Sequence, residues 1–236
     1  MNIRHTLKLL NAYEIKKPLY SCHKFNELEA AERIISLSKE GKNVAVVSDA
    51  GTPVVSDPGN ALCKRLREAG ENYTLLPGAC AFVAGLVLSA LDADRFAFIG
   101  FLPDKTSEKR LILERYKEVD LTLIFHCAPQ DVDKNVATMY EVFGERKACA
   151  VREITKIHEE SRSFMLSTGL DGEKRGEYVL VVEGAKQKEN PLNSLSEIEH
   201  IRYYMSQGLD KKEALKKAAK DRGVSKSDLY KFSLDL

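Results

Sequence analysis

The sequence SDAGTPVVSDPG, residues 48–59, directly follows an apolar run at residues 44–47. In twelve residues it contains two Asp, two Gly, two Pro, two Ser and one Thr. An apolar run without alternation is typical of a strand that is covered on both faces. The stretch therefore predicts a buried strand followed by a stiff turn, at the carboxyl end of a strand where open α/β sheets bind ligands.

Strand and helix patterns alternate along the chain on both sides of this turn. Apolar stripes at helical spacing predict helices that begin near Asn26, Asp57, Ser107 and Val132. Residues 79–91 are apolar all round and predict a buried helix. Short apolar runs predict strands at residues 44–47, 73–76, 96–102, 121–126, 147–152 and 177–183. This alternation predicts an α/β fold with largely parallel sheets.

Two changes in composition suggest domain boundaries. Residues 102–110 are polar and contain a proline, and the chain becomes polar and then helical after Gly184. We expect an N-terminal α/β domain at residues 1–101, a second α/β domain at residues 102–188 and a small helical C-terminal tail at residues 189–236. Capping residues predict three helices in the tail, beginning at Ser194, Asp210 and Ser225.

The composition argues against several classes of protein. The chain has 236 residues and a net charge of +1, so the whole chain is not an electrostatic nucleic-acid binder. Five cysteines without a CxxC pair argue against a disulfide scaffold or a zinc ribbon, and we expect reduced thiols and a cytoplasmic protein. The longest apolar stretch is too short to span a bilayer, and no secretory signal or metal site is expected.

The turn-rich loop, residues 48–59, has residue types suited to ligand binding. Gly51 and Gly59 allow the backbone to approach a ligand, Pro53 and Pro58 stiffen the loop, and the Asp49 carboxylate can accept hydrogen bonds from hydroxyls. Such a loop suits a ligand with a ribose, an adenine and a small polar tail. The same residues would also serve a rigid turn without a ligand, so the residues alone leave both interpretations open.

Other motifs are absent or less specific. The sequence lacks a GxxxxGK[ST] phosphate loop, a GxGxxG dinucleotide motif and a GxSxG nucleophile motif. The charged group from Arg152 to Lys156 is more often salt-bridged surface than a functional site. Between Arg202 and Lys231 there are nine Lys or Arg against four Asp or Glu, which is more typical of a solvated helical face than of a nucleic-acid interface.

Several segments in order resemble the tetrapyrrole methylase superfamily: SDAGTPVVSDPG, LPGACA (76–81), GFLPDK (100–105), LIFHCAP (123–129), VFGERKACAVREITKIHEE (142–160) and GEYVLVVEG (176–184). Within it the sequence is most similar to the bacterial small-subunit ribosomal RNA cytidine 2′-O-methyltransferases. The resemblance implies two α/β domains, S-adenosylmethionine bound in the cleft between them, a homodimer, and methylation of ribosomal RNA. It also implies that the helical tail assists RNA binding.

The resemblance also implies which residues bind the cofactor. Carried over by position, one group forms the cofactor loop: Asp49, Ala50, Gly51, Thr52 and Pro53. A second group flanks the methionine or adenine moiety: Pro77, Gly78, Ala79, Cys80 and Ala81. Cys127 would line the cleft. No general base is assigned.

Two departures from the family pattern leave alternatives open. The family opens with a strand, a Gly-containing turn and a helix before the region that matches Arg4-His5-Thr6, and we expect this opening unit to be missing here. Where the family reads E-A-P-H-R, this chain has Cys127-Ala128-Pro129-Gln130-Asp131, and Asp131 disfavours contact with phosphate. The alternatives are a non-catalytic paralogue that binds RNA or a protein partner, and a methylase of a small molecule.

Overall fold

The chain folds into two compact units, residues 1–185 and 186–236. The computed structural model describes residues 3–186 and 190–233, so residues 187–189 of the predicted linker lie outside the described residues. The second unit corresponds to the predicted helical tail. The further division of the first unit between residues 101 and 102 stays a prediction.

The first unit contains six helices and five strands among its described residues. The helices are α1 Ile3–Ala12, α2 Glu27–Lys39, α3 Asn60–Glu68, α4 Ala81–Ser89, α5 Thr106–Glu114 and α6 Val132–Phe143. The strands are β1 Phe96–Phe101, β2 Thr122–Cys127, β3 Lys147–Arg152, β4 Glu160–Met165 and β5 Tyr178–Val182. The predicted α/β class is confirmed.

The five strands form one mixed sheet in the order β1-β2-β5-β3-β4. Strands β1 and β2 are parallel, whereas β2–β5, β5–β3 and β3–β4 are antiparallel. The prediction of largely parallel sheets is therefore wrong. Residues 153–159 between β3 and β4 are too few for the crossover that a parallel pair requires. Strand β4 is not among the predicted strands, because its polar residues resemble a charged surface loop.

The sheet is covered by different helices on its two faces. Alternate residues of β2, including Leu123, Phe125 and Cys127, join the core with α5 and α6. Ile124 lies on the opposite face and packs with Leu86 of α4 and with Val179 and Val181 of β5. His126 shares this α4 face because side chains alternate along a strand.

Helix α4 approaches the sheet closely at Gly85. A Cβ atom at Gly85 would lie 2.6 Å from Cγ1 of Val179, closer than side chains pack. The prediction that α4 is buried all round is wrong, because Val83, Val87 and Leu88 are exposed. One side of the helix packs on the sheet, and its apolar outer side has no cover among the described residues.

Two predicted strands do not form. Residues 44–47 and 73–76 have no ladder partner in the described part of the chain, and Val44 and Leu76 are exposed. A strand needs the backbone hydrogen bonds of a neighbour, so an apolar run alone does not make one. Helices α2 and α3, which flank residues 44–47, instead pack on each other through Ala31, Ile35 and neighbouring side chains.

Some helix starts also differ from the prediction. Helix α3 begins at Asn60 rather than Asp57, because Gly59 has a φ of 135°, which is not helical. Helix α5 begins at Thr106, with Lys105 rather than Ser107 at its N-cap. Helix α2 begins after Asn26 as predicted, although the Asn26 side chain bonds to the preceding turn instead of capping the helix.

The second unit consists of α7 Glu197–Ser206, α8 Lys211–Arg222 and α9 Lys226–Tyr230. The predicted starts at Asp210 and Ser225 are confirmed, since both side chains accept a backbone N–H bond at the helix start. The first start is at Ser196 rather than Ser194: Ser196 and Glu199 form the capping box. These helices enclose a small core of Ile201, Leu215 and surrounding apolar residues.

We expect Gly85→Ala to lower the free energy of unfolding. Overpacking against Val179 costs about 1–3 kcal/mol, and the higher helix propensity of Ala offsets about 1 kcal/mol of that cost. The clash is with Val179, so Gly85→Ala combined with Val179→Ala should cost less than the sum of the single changes. Denaturant unfolding of the four proteins measures this coupling, and additive costs would contradict the close contact.

We also expect the second unit to lose stability as the pH falls below about 6.5. The His200 side chain is buried; its Nε2 lies 3.3 Å from Oδ2 of Asp221, and its Nδ1 accepts a hydrogen bond from Nε of Arg222 at 3.2 Å. Burial lowers the pKa of His200, although Asp221 opposes the shift. The unfolded chain therefore binds the proton more tightly, and protonation favours unfolding.

Amide-exchange protection of α7 and α8 measures this stability between pH 7 and 5. His200→Gln removes the titrating group and should flatten the pH dependence. Protection of the wild-type helices that stayed constant or rose toward pH 5 would contradict the expectation.

Candidate functional site

The structure brings the two predicted cofactor loops into contact. The Thr52 hydroxyl in the turn-rich loop donates a hydrogen bond of 3.0 Å to the carbonyl oxygen of Ala79 in the second loop, residues 76–81. Gly51 lies beside this contact with a φ of +72°, and a Cβ atom there would lie 3.5 Å from the same oxygen. The loops therefore form one local unit, here named the loop junction.

Several main-chain N–H groups of the loop junction point to a binding role. The N–H groups of Ala50, Gly51 and Thr52 make no hydrogen bond within the described residues, while the Ser48 hydroxyl donates to the carbonyls of Ala50 and Gly51. The second loop leads into the N-terminus of α4, where the first N–H groups have no partner in the helix. These donors can bind a ligand that carries carboxylate or hydroxyl oxygens.

A small cavity of about 10 Å³ lies against the turn-rich loop, with room for about one water. Its lining includes Cys22, Val47, Ser48, Pro53 and Asp57. A larger ligand would therefore lie on the open surface beside Gly51 and Thr52. The Asp49 carboxylate there is 46% exposed, with Oδ1 3.9 Å from Nδ1 of His5.

The turn-rich loop is strained and held against the end of β1. Val54 and Ser56 have φ values of 76° and 60°, a region that a β-branched residue rarely enters. Gly100 has a φ of +78° at a bulge in β1, and a Cβ there would lie 3.6 Å from the Ser56 hydroxyl oxygen. The bulge also places Phe101 opposite His126 in the sheet register.

A group of titratable side chains belongs to this end of β1 and β2 and is here named the polar edge. Its members are His126 at the end of β2, Asp57 in the turn-rich loop and Glu177 before β5. Burial lowers the pKa of His126, while the carboxylates of Glu177 and Asp57 oppose the shift. Burial and the neighbouring Asp49 raise the pKa of Asp57. The polar edge thus holds an imidazole that burial keeps neutral and whose charged form two carboxylates favour.

Cys127 lies on the other face of the sheet from these groups. Its side chain is buried in the core with α5 and α6, and its thiol accepts a hydrogen bond of 3.1 Å from the Asn135 amide, which is itself bonded to the buried Lys109 amine. Burial raises the pKa of Cys127 to about 11. The structure does not bring the Cys127 thiol to the loop junction, and its role in cofactor binding stays a prediction.

Sequence reasoning did not select the polar edge. The family resemblance points to Cys127 rather than to its neighbour His126, and alternation along β2 places the two side chains on opposite faces of the sheet. No local sequence pattern relates Glu177 to His126, because the antiparallel pairing of β2 and β5 places Glu177 two residues from Val179, the partner of His126 in the sheet. The signal that could have found His126 is a polar side chain on the α4 face of an otherwise apolar strand.

Two further properties concern the described residues as a whole. No group of three or more His, Cys, Asp or Glu side chains among them is arranged to hold a metal ion. None of the helices in residues 3–186 and 190–233 is long and apolar enough to cross a membrane.

We expect Thr52→Val to loosen the loop junction. The change keeps the shape of the side chain but removes the donor to Ala79, and one such bond contributes about 0.5–1.5 kcal/mol. Amide exchange of residues 76–81 should accelerate, whereas Thr52→Ser keeps the hydroxyl and should exchange like the wild type. Equal exchange in Thr52→Val and Thr52→Ser would mean that this hydrogen bond does not hold the loops together.

Comparison with known proteins assigns the family. Residues 3–168 match the sequence pattern of the Tetrapyrrole (Corrin/Porphyrin) Methylases. Ribosomal RNA small subunit methyltransferase I of Bacillus subtilis (strain 168) is 39% identical, over 96% of this chain and 81% of its own length. The protein of the same name from Pseudomonas aeruginosa is 37% identical, over 98% of this chain and 84% of its own.

A solved structure shares the fold. The crystal structure of the methyltransferase CobJ aligns with a TM-score of 0.54 at 21% identity, covering 70% of this chain and 74% of that chain. At this identity the likeness concerns the fold alone. The sequence match over most of the chain assigns the protein to the tetrapyrrole methylase family, among the relatives of ribosomal RNA small subunit methyltransferase I.

Proposed function

We propose that this protein is an S-adenosylmethionine-dependent methyltransferase that methylates the 2′-oxygen of a cytidine in small-subunit ribosomal RNA. The observation that carries the proposal is the loop junction, where the Thr52 hydroxyl joins two loops through the carbonyl oxygen of Ala79. Within the described residues, the N–H groups of residues 50–52 in this junction make no hydrogen bond. The names of the relatives that share 36–39% of their residues with this chain support the RNA substrate.

The residues of the loop junction fit the cofactor. Asp49, Ala50, Gly51, Thr52 and Pro53 would hold it from the turn-rich loop, and Pro77, Gly78, Ala79, Cys80 and Ala81 from the second loop. Cys127 would contact the cofactor through its main chain at the end of β2. When bound, the cofactor supplies a methyl group already activated by a sulfonium, so the protein mainly has to align the accepting oxygen with that methyl group.

The second unit has a surface that suits RNA. Helix α8 buries Ala214, Leu215, Ala218 and Ala219 and exposes a series of lysines on its outer side: Lys211, Lys212, Lys216, Lys217 and Lys220. None of these lysines forms an ion pair with a carboxylate within residues 190–233. Lysines that form no ion pair with these carboxylates can neutralise phosphates, which supports a role of this helix in binding ribosomal RNA.

We further propose a homodimer in the cytoplasm. Large apolar side chains of the first unit are exposed, among them Phe25 at 93% and Leu76 at 84%, and a second copy would cover such surface. A cytoplasmic location agrees with a ribosomal RNA substrate and with five cysteines that are all free.

The proposal predicts that the protein binds S-adenosylhomocysteine in calorimetry and transfers labelled methyl groups to small ribosomal subunits that lack the modification. Gly51→Val should weaken binding about 5- to 100-fold, because a β-branched residue at a φ of +72° costs about 1–3 kcal/mol. Gly70→Val is the matched control, since Gly70 has a φ of +75° and open space around it, and it belongs to neither loop of the loop junction.

The outcomes separate the candidate functions. No heat at millimolar S-adenosylhomocysteine would contradict the cofactor proposal. Binding of small subunits without methyl transfer would support the non-catalytic paralogue. Equal weakening by Gly51→Val and Gly70→Val would mean that Gly51 acts through general stability rather than through the site.

A further inference from the structure

One ring nitrogen of His126, Nε2, is buried. This nitrogen makes no hydrogen bond within residues 3–186 and 190–233. Such an atom costs about 1–3 kcal/mol, and folded proteins retain few of them. The atom belongs to the polar edge, on the α4 face of the sheet, where the turn-rich loop meets the end of β1. A functional reason for this cost is therefore expected at this position.

The ring of His126 lies between two phenylalanines. Phe98 stands edge-on at 4.9 Å between ring centroids and is stacked on Phe82 of α4 at 4.3 Å. Phe101 stands edge-on at 5.3 Å and is 60% exposed. Phe101 is therefore the side of this aromatic enclosure that borders solvent. Exposed side chains change rotamer within nanoseconds, so Phe101 can turn away to admit a substrate.

Charged groups face the imidazole from two elements. Asp57 belongs to the turn-rich loop and Glu177 directly precedes β5, and the carboxylates of both raise the pKa of the ring and so favour its protonated form. The two rings packed against it from β1, Phe98 and Phe101, carry no charge, and neither does Phe82 of α4, which stacks on Phe98. Burial has a larger effect on the pKa of the ring than the carboxylates, so the ring is neutral near pH 7. When the ring takes up a proton, the two carboxylates favour its positive charge.

The geometry points to His126 as the general base of methyl transfer, with Nε2 accepting the proton of the ribose 2′-hydroxyl. This inference rests on the proposed function. In the tautomer that carries its proton at Nδ1, Nε2 presents a lone pair and is the acceptor that the hydroxyl requires. The unpartnered atom of the free protein then acquires its partner when the substrate binds.

The step balances in atoms and charge. The ribose oxygen forms a bond to the methyl carbon, the carbon–sulfur bond breaks, and its electron pair remains on sulfur. The hydroxyl proton moves to Nε2, so the positive charge that leaves sulfur appears on the imidazolium. Asp57 and Glu177 stabilise that charge, and the proton passes to solvent when Phe101 turns away.

The chain offers a direct test. His126→Gln keeps a hydrogen-bond acceptor near the position of Nε2 but cannot take up the proton. We expect kcat/KM for methylation of unmodified small subunits to fall about 10²- to 10⁴-fold. S-adenosylhomocysteine binding in calorimetry should be unchanged, which controls for folding of the loop junction. His23→Gln changes an exposed histidine of the same unit and should methylate like the wild type.

The pH profile separates a base from a structural role. Since kcat/KM reports groups of the free protein, the wild-type value should fall as the pH drops through the pKa of His126, which lies below 6.5. NMR of histidine labelled with ¹³C measures that pKa without any cofactor or RNA, and the signal of His126 is assigned by its loss in His126→Gln. The kinetic and NMR inflections should coincide.

Each outcome has one meaning. A His126→Gln protein as active as the wild type, or one that keeps the same acid inflection, overturns the role of His126 and leaves the proposed function standing. A kinetic inflection that differs from the NMR titration also overturns it. A wild-type protein that binds S-adenosylhomocysteine and RNA but transfers no methyl group overturns the proposed function, and the base with it.

Discussion

The close contact between Gly85 of α4 and Val179 of β5 determines where the candidate site lies. A side chain at Gly85 would collide with Val179, so the glycine allows the helix to approach the sheet closely at this point. The N-terminus of α4 is fixed by that contact, and with it the second loop. Thr52 then connects the turn-rich loop to Ala79. Core packing thus positions two surface loops that share no secondary structure.

The polar edge depends on the mixed direction of the strands. Strands β1, β2 and β3 end at the same edge of the sheet, where β5 begins between β2 and β3. This order places Glu177 near His126, although 51 positions separate them in the chain. The bulge at Gly100 adds Phe101 to the same place. If β5 ran parallel to β2 and β3, its end rather than its start would lie at this edge, and Glu177 would lie at the opposite edge.

The two faces of β2 have different chemistry because their coverings differ. Toward α5 and α6, Cys127 is enclosed with Asn135 and Lys109, and burial keeps its thiol protonated. Toward α4, His126 lies beside two carboxylates and an exposed ring. Burial therefore acts on the two adjacent residues in opposite directions: it raises the pKa of the Cys127 thiol and lowers the pKa of the His126 imidazole. The family resemblance alone could not distinguish these two residues.

Local signals determined much of this protein from the sequence. The capping residues Asp210 and Ser225, the strands at the centre of the sheet and the family motifs all depend on neighbours within a few positions, so sequence reasoning predicted them. Runs such as residues 44–47 were predicted as strands and are not, because a strand also needs a partner elsewhere in the chain. Only the tertiary structure decided the strand directions, the exposed side of α4 and the placing of His126 with Asp57 and Glu177. Those features arise from contacts between distant residues, whose energies depend on packing and burial that no local pattern encodes.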